Sequence, residues 1–196
     1  MNRSLLLLAT LGALVGCSQT PQQAPEQQSN AVGSHLPPDA KAILAARWAA
    51  MFGNPAAVVA AANEFGYGAG AWTRSPRGDY RALGEQALPK NAEPPLVRTS
   101  FKVVGDAARQ VDAITFTFLV DRRGGLDTRE ARDAVNIPRR IVAGFLSRFG
   151  VSPDDAVRRA VQTGLSATMI RDRGRIVVKS APTAGGYRSD VTISRS

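Results

Sequence analysis

Few side chains in this sequence could carry out catalysis. The only cysteine, Cys17, and the only histidine, His35, both lie near the N-terminus. His35 stands in a stretch rich in Gln and Pro, where a lone histidine is typical of a solvated linker. Cys/His metal sites and histidine-based triads need several such groups held together in a folded cleft. The sequence therefore predicts no metal, no cofactor and no catalytic residue.

Carboxylates are the remaining candidates, and Asp154-Asp155 is the only adjacent acidic pair. Ser152 and Pro153 precede it and predict a helix N-cap followed by proline at the first helical position. Both aspartates then fall in the first helical turn, where they favour the helix dipole. We interpret the pair as structural. A hydrolase acting on cell wall or glycan stays open as an alternative, and it would need two carboxylates about 5 to 9.5 Å apart.

Two glycine-rich segments could approach a phosphate. Gly124-Gly125, with Arg122-Arg123 before it, could hold an anion at the start of a helix, although a turn that leaves a strand is the commoner explanation. The segment 66–70 (GYGAG) does not follow a strand and open a helix, so a dinucleotide fingerprint is not supported. We interpret it as a helix C-cap followed by closely packed backbone.

A group of arginines occupies the predicted second helix pair, away from its apolar stripe. Residues 126–196 hold 13 basic and 7 acidic side chains, so the positive charge of the chain is concentrated there. Such a group is either a solvated polar face or a contact surface for an anionic partner, because guanidinium forks suit phosphates and carboxylates. The candidates are Arg139, Arg140, Arg148, Arg158 and Arg159.

The N-terminus has the three parts of an export signal. Arg3 precedes an apolar run from Leu5 to Val15, which is shorter than the roughly 20 residues that a spanning helix needs. The run ends at Leu14-Val15-Gly16-Cys17, which resembles the lipobox of bacterial lipoproteins. The resemblance implies that residues 1–16 are a cleaved signal peptide and that Cys17 carries lipid.

Lipid on Cys17 would attach the chain to a membrane of the bacterial cell envelope, since each buried acyl methylene contributes about 0.8 kcal/mol. Ser18 stands where an aspartate favours inner-membrane retention in enteric lipoproteins. The resemblance therefore favours the periplasmic face of the outer membrane. Export also makes nucleic acid an unexpected partner. Residues 17–37 would form the lipidated cysteine and a disordered Gln/Pro/Ser-rich tether with an r.m.s. span of about 25 Å.

An internal repeat organises the rest of the chain. Aligning Gly53 with Gly150 superposes two apolar stripes at helical spacing: Leu44, Trp48 and Phe52 on Ile141, Phe145 and Phe149. The following helices also correspond, with Asn54-Pro55 matching Ser152-Pro153 at their starts and Gly66 matching Gly164 at their ends. Duplication and convergence of common helix patterns both explain these matches.

Alternating segments predict the strands. They are 96–104 and 111–120 in the first copy, and 168–171, 175–179 and 187–193 in the second. Turns are expected at Arg77-Gly78 and Arg173-Gly174. Between the copies, Asp127 and Glu130 predict a short capped helix that ends before Pro138 starts the next one. The predicted fold is α+β: two tandem helix-helix-antiparallel-sheet units, 38–123 and 124–196, with the helices packed on one sheet face.

This layout is similar to that of small α+β lipoproteins associated with outer-membrane protein assembly, and to that of the tandem-repeat inhibitors of β-lactamases. It is a likeness of element order and implies a binding role only by analogy. The sequence thus favours a non-enzymatic envelope lipoprotein whose body binds another protein or an anionic envelope polymer. The alternatives are a lipoprotein that binds a small ligand between helices and sheet, and the carboxylate-dependent hydrolase.

Overall fold

A computed structural model describes residues 38–88, 95–122 and 129–196, and within them the chain is α+β. The predictions for the signal peptide, Cys17, the tether with His35, Gly124-Gly125 and Asp127 lie outside these ranges. The helices are α1 (Pro38–Phe52), α2 (Pro55–Glu64), α3 (Arg129–Ser147) and α4 (Asp155–Thr163). The strands are β1 (Thr73–Arg74), β2 (Tyr80–Leu88), β3 (Val97–Gly105), β4 (Ala113–Asp121), β5 (Ala167–Arg171), β6 (Gly174–Thr183) and β7 (Gly186–Arg195).

The seven described strands form one antiparallel sheet in the order β1-β2-β3-β4-β7-β6-β5. Its centre is the pairing of β4 with β7, in which Phe116 lies opposite Val191. Strands from 38–123 and from 124–196 therefore share a single sheet.

Alternation along the strands places one face of the sheet in the core. On β3 the pattern is strictly alternating, with Val97, Phe101 and Val103 fully buried. The helix residues Trp48 and Phe145 are both 0% exposed, as the repeat predicted. The Phe145 ring lies 5.0 Å from the Phe116 ring, measured between centroids, so α3 packs against β4.

The start of α2 is confirmed and that of α4 is wrong by two residues. The Ala57 amide donates to Asn54 Oδ1 at 3.0 Å, and Pro55 is the first helical residue. In α4 the N-cap is Asp154, whose Oδ1 accepts from the Val157 amide at 2.8 Å. Pro153 precedes the helix and is buried, so it contributes to the core instead of starting the helix.

The prediction that Pro138 begins a helix is wrong. Pro138 lies inside α3. Proline in a helix interior costs about 3 kcal/mol because it removes one backbone hydrogen bond and clashes with the preceding turn. Here Ala134, Pro138, Ile141 and Phe145 are all buried at helical spacing. Burial of that continuous stripe offsets the local cost, and the helix continues through the proline.

β2 is a nine-residue strand whose length was not predicted, since the sequence indicated only a hairpin with its turn near Arg77-Gly78. It pairs with β3 along its whole length, from Tyr80 opposite Gly105 to Leu88 opposite Val97. Its core-facing side includes Gly84 and Gln86, so it lacks the apolar alternation of its neighbours. Its position comes from pairing with β3. The expected turn at Arg77-Gly78 does connect β1 to β2.

Candidate functional site

The five candidate arginines do not form a single cluster of free charges. Arg139 and Arg140 are exposed on α3, Arg148 lies just beyond its end, and the other two lie on α4. Arg148 pairs with Glu64 of α2. Arg158 pairs with Asp155, to whose Oδ1 it donates from Nε at 3.2 Å. Of the five candidates, Arg139, Arg140 and Arg159 form no ion pair with a carboxylate of the described residues, so the predicted anionic contact surface retains three cations without such a pair.

The adjacent aspartates have structural roles. Asp154 caps α4, and Asp155 receives hydrogen bonds from Arg158. The hydrogen bond from Arg158 is the main cause that lowers the pKa of Asp155 below its ordinary value. A general acid needs a raised pKa, and Asp155 has the opposite shift. The pair therefore belongs to the helix start.

Asp79 and Asp112, also in the described ranges, accept hydrogen bonds within turns. Asp79 accepts a hydrogen bond from Ser75, which lowers the pKa of Asp79. Asp112 accepts from the Asp106 amide at 2.8 Å and from Gln110 Nε2 at 3.1 Å. In these parts of the chain no group of three or more His, Cys, Asp or Glu side chains could hold a metal ion.

The glycine-rich segment 66–70 closes α2 and turns toward β2. Gly66 has a φ of +88°, and Asn63 Oδ1 accepts from the Ala69 amide, which holds the loop against the end of the helix. The other glycine candidate, Gly124-Gly125, lies outside the described ranges. Its neighbour Arg122 lies 4.7 Å from the centroid of the Tyr187 ring, so this guanidinium packs within the fold.

The sheet has a second face that consists of exposed and half-buried side chains, which we call the outer face. Its members alternate with the buried residues on each strand, and neighbours across strands are set by the register. They comprise 81, 83, 85 and 87 on β2; 98, 100, 102 and 104 on β3; 113, 115, 117, 119 and 121 on β4; 188, 190, 192 and 194 on β7; 175, 177, 179 and 181 on β6; and 168 and 170 on β5.

Exposed apolar side chains are concentrated on the outer face. Leu83, Leu119 and Ile170 are 51%, 42% and 62% exposed, and they belong to β2, β4 and β5. In the described residues only Ile43 and Leu165 are comparable large apolar side chains elsewhere. The register does not make these three side chains neighbours: Leu83 lies opposite Lys102, Leu119 lies between Arg98 and Arg188, and Ile170 lies opposite Arg175, so each is exposed beside a cation.

Cations accompany these apolar side chains. The described strands place six basic residues on the outer face against three acidic ones, Glu85, Asp121 and Asp190. Asp190 is engaged on both sides: Thr117 Oγ1 donates to it at 2.6 Å, and Arg188 Nε donates to it at 3.0 Å. Asp190 thereby raises the pKa of Arg188. The six basic residues are Arg81, Arg98, Lys102, Arg175, Lys179 and Arg188.

Two shallow hollows lie along the β3–β4 part of the outer face, and Arg98 and Leu119 line both of them. One includes Glu85 and Thr117, and the other lies toward the turn at Gly185. Both are open to solvent and bordered by strand residues. This surface was not predicted, because the arginines in the sequence are more numerous in the predicted helices than in the predicted strands. The signal was present in the residues between the buried strand positions, such as Arg98 and Lys102 on β3.

None of the described helices is by itself long and apolar enough to cross a membrane. Only Asp39–Phe52 and Pro55–Glu64 taken together reach the required length and composition, and they are bent by 87°. Trp48, Met51 and Val58 of this pair are fully buried in the core. Comparisons with protein-family models, with curated proteins and with solved structures found no match for this chain.

Proposed function

We propose that this protein is a non-enzymatic lipoprotein of the bacterial cell envelope whose body binds another protein through the outer face of its sheet. The observation that carries the proposal is the joint exposure of Leu83, Leu119 and Ile170 among cations on a regular surface. Anchoring comes from lipid on Cys17, and the periplasmic face of the outer membrane is the proposed location. An envelope polymer is the alternative partner.

The size of the outer face supports a protein as the partner. It spans six strands about 4.8 Å apart; five of them have nine or ten residues of roughly 3.3 Å rise and β5 has five, so the face covers about 650 Å². A stable protein interface buries about 800 Å² on each partner. The hollows on the face are shallow, whereas pockets for small ligands bury most of the ligand surface.

We further propose that the two segments are structural copies. The strand order supports this, because β2-β3-β4 and β5-β6-β7 each run inward toward the centre of the sheet and end at the central β4–β7 pair. The burial of Trp48 and Phe145 supports it as well. In this layout all four helices pack on the buried face. The outer face stays free to bind.

The anchor is tested by labelling cells with a fatty-acid analogue. The wild-type chain should incorporate the label, and Cys17→Ser should lose it and accumulate as precursor or soluble protein. Ser29→Cys in the Cys17→Ser background places the thiol after Gln27-Gln28, away from the apolar run, and is the matched control, expected to stay unlabelled. Label on Cys17→Ser would contradict the lipoprotein assignment.

Binding is tested in the host cell with a photo-crosslinking amino acid in the full chain. It replaces Thr115, at the centre of the outer face, or Thr163, an exposed threonine of α4. We expect a discrete protein adduct on illumination of the Thr115 variant. If neither position yields a protein adduct, the protein-binding function is wrong.

A further inference from the structure

The six cations of the outer face are dispersed in a regular manner. No two of them lie directly opposite each other in the strand register or at alternate positions along one strand, and their closest approaches are the diagonal pairs Arg81–Lys102 and Lys179–Arg188. Arg98 lies opposite Ala87 and Leu119, and Arg188 lies opposite Leu119 and Ala181. Leu119 therefore separates two guanidinium groups on adjacent strands.

The same pattern recurs on the other strands. Lys102 lies opposite Leu83, Arg81 opposite Val104, and Arg175 opposite Ile170. Lys179 stands two residues from Val177 on β6. Every basic side chain of the outer face thus has an apolar neighbour. This alternation of cations with apolar side chains is set by the register between strands, and the sequence of a single strand does not reveal it.

Dispersed cations suit some anionic partners and not others. A phosphate or a multiply charged lipid headgroup is held by several donors that converge on one point. On the outer face at most two cations approach one point, as diagonal neighbours, and cations set in this way beside apolar side chains match a protein surface whose carboxylates alternate with apolar residues. Each carboxylate then meets one cation, and each apolar side chain of the partner loses water against Leu83, Leu119, Val177 or Ile170.

A second copy of this chain is a poor partner for the same face. Two outer faces packed on each other would each bring six cations and three carboxylates, so their excess charges would repel. Asp190 is also engaged by Arg188 and Thr117, which leaves little negative charge to meet a second copy.

We propose that the outer face binds an acidic protein surface in which carboxylates alternate with apolar side chains. This inference rests on the proposed function and names the chemistry of its partner. Lys102 and Arg175 are the most informative cations, because they lie on either side of the central strands and no ion pair engages them among the described residues.

The test extends the crosslinking experiment with the photo-crosslinking residue at position 115. Lys102→Glu combined with Arg175→Glu should lower the yield of the protein adduct at least about fivefold, because each reversal turns an attraction into a repulsion. Lys102→Gln with Arg175→Gln should give an intermediate yield. Arg139→Glu with Arg159→Glu reverses two exposed cations of the helices and should leave the yield unchanged. Limited proteolysis of each variant shows that the fold is intact.

Mass spectrometry of the adduct identifies the linked segment of the partner. We expect a segment with a net negative charge and apolar residues between its carboxylates. A basic segment, an adduct insensitive to the reversals, a self-adduct, or an adduct with lipid or polysaccharide would each overturn the inference. A protein adduct from position 163 alone would overturn the inference and the outer-face part of the proposed function, leaving only protein binding by another surface.

Discussion

The indole of Trp48 occupies the space that a β-carbon on Gly174 would need. Gly174 is the first residue of β6, and the ring atoms of Trp48 lie directly over it. Helix α1 and strand β6 therefore approach more closely than any other residue at position 174 would allow. We expect Gly174→Ala to destabilise the protein by about 1 to 3 kcal/mol or more through overpacking, measured by urea unfolding.

Gly70→Ala is the matched control for that substitution. A β-carbon at Gly70 would meet no heavy atom within 4 Å, so the change should be close to neutral. Equal destabilisation by the two substitutions would show that the packing of Trp48 against β6 does not require glycine at position 174.

The paired core aromatics give a second prediction. Trp48→Ala and Phe145→Ala each remove a fully buried ring, and each should lower the free energy of unfolding by about 3 to 5 kcal/mol. Arg140→Ala, on the exposed side of α3, should stay within about 0.5 kcal/mol. A small effect at only one of the two aromatics would argue against equivalent positions in two structural copies.

The two adjacent aspartates, Asp154 and Asp155, should differ sharply in how much they contribute to stability. Asp154→Ala removes the acceptor for the Val157 amide and should cost about 1 kcal/mol of stability, whereas Asp154→Asn keeps a capping oxygen and should cost little. Asp155→Ala removes only an exposed pair with Arg158 and should have a smaller effect than Asp154→Ala. Thermal unfolding of the three variants measures the order, and a larger loss at Asp155 would contradict it.

Tyr67 should make the protein sensitive to alkaline pH. Its hydroxyl lies 2.7 Å from Thr99 Oγ1 in the core, and burial raises the pKa of Tyr67 above its ordinary value. The unfolded chain loses this proton near pH 10 while the folded chain keeps it, so stability falls as pH rises above about 10. The slope is up to about 1.4 kcal/mol per pH unit for this group.

Tyr67→Phe separates that effect from other alkaline titrations. At neutral pH it should cost about 1 to 2 kcal/mol, because the Thr99 hydroxyl loses its partner. Above pH 10 the free energy of unfolding of the variant should fall more slowly with pH than that of the wild type, so the two stability curves converge. Burial also raises the pKa of Tyr187, so part of the alkaline loss should persist in the variant. Parallel curves from pH 8 to 11 would contradict the assignment.

Local patterns in the sequence predicted much of the secondary structure. Val97, Phe101 and Val103 alternate with polar residues, and that alternation gave the correct face of β3. Asn54-Pro55 gave the start of α2 for a similar local reason. The failures arose where packing outweighs local preference. Pro138 is held inside α3 by a buried stripe, and β2 owes its length to pairing with β3.

The candidate surface could not be predicted from one strand at a time. Arg98, Leu119 and Arg188 are neighbours only because β4 pairs with both β3 and β7. Those pairings join residues as far apart as Ala113 and Ser194, and no periodicity within a segment specifies them. Charge counts along the chain led instead to the arginines of α3 and α4, two of which pair with carboxylates.

The central position of β7 bears on the order in which the chain can fold. Its partners are β4, made long before it, and β6, made just before it. Until β7 is present, β4 ends the first half of the sheet as an open edge that carries Phe116 and Phe118. Closing that edge requires a contact of high sequence separation, which is a slow step in folding. An incomplete chain is therefore exposed to aggregation until its last strand is present, and truncation before Gly186 would make that exposure permanent.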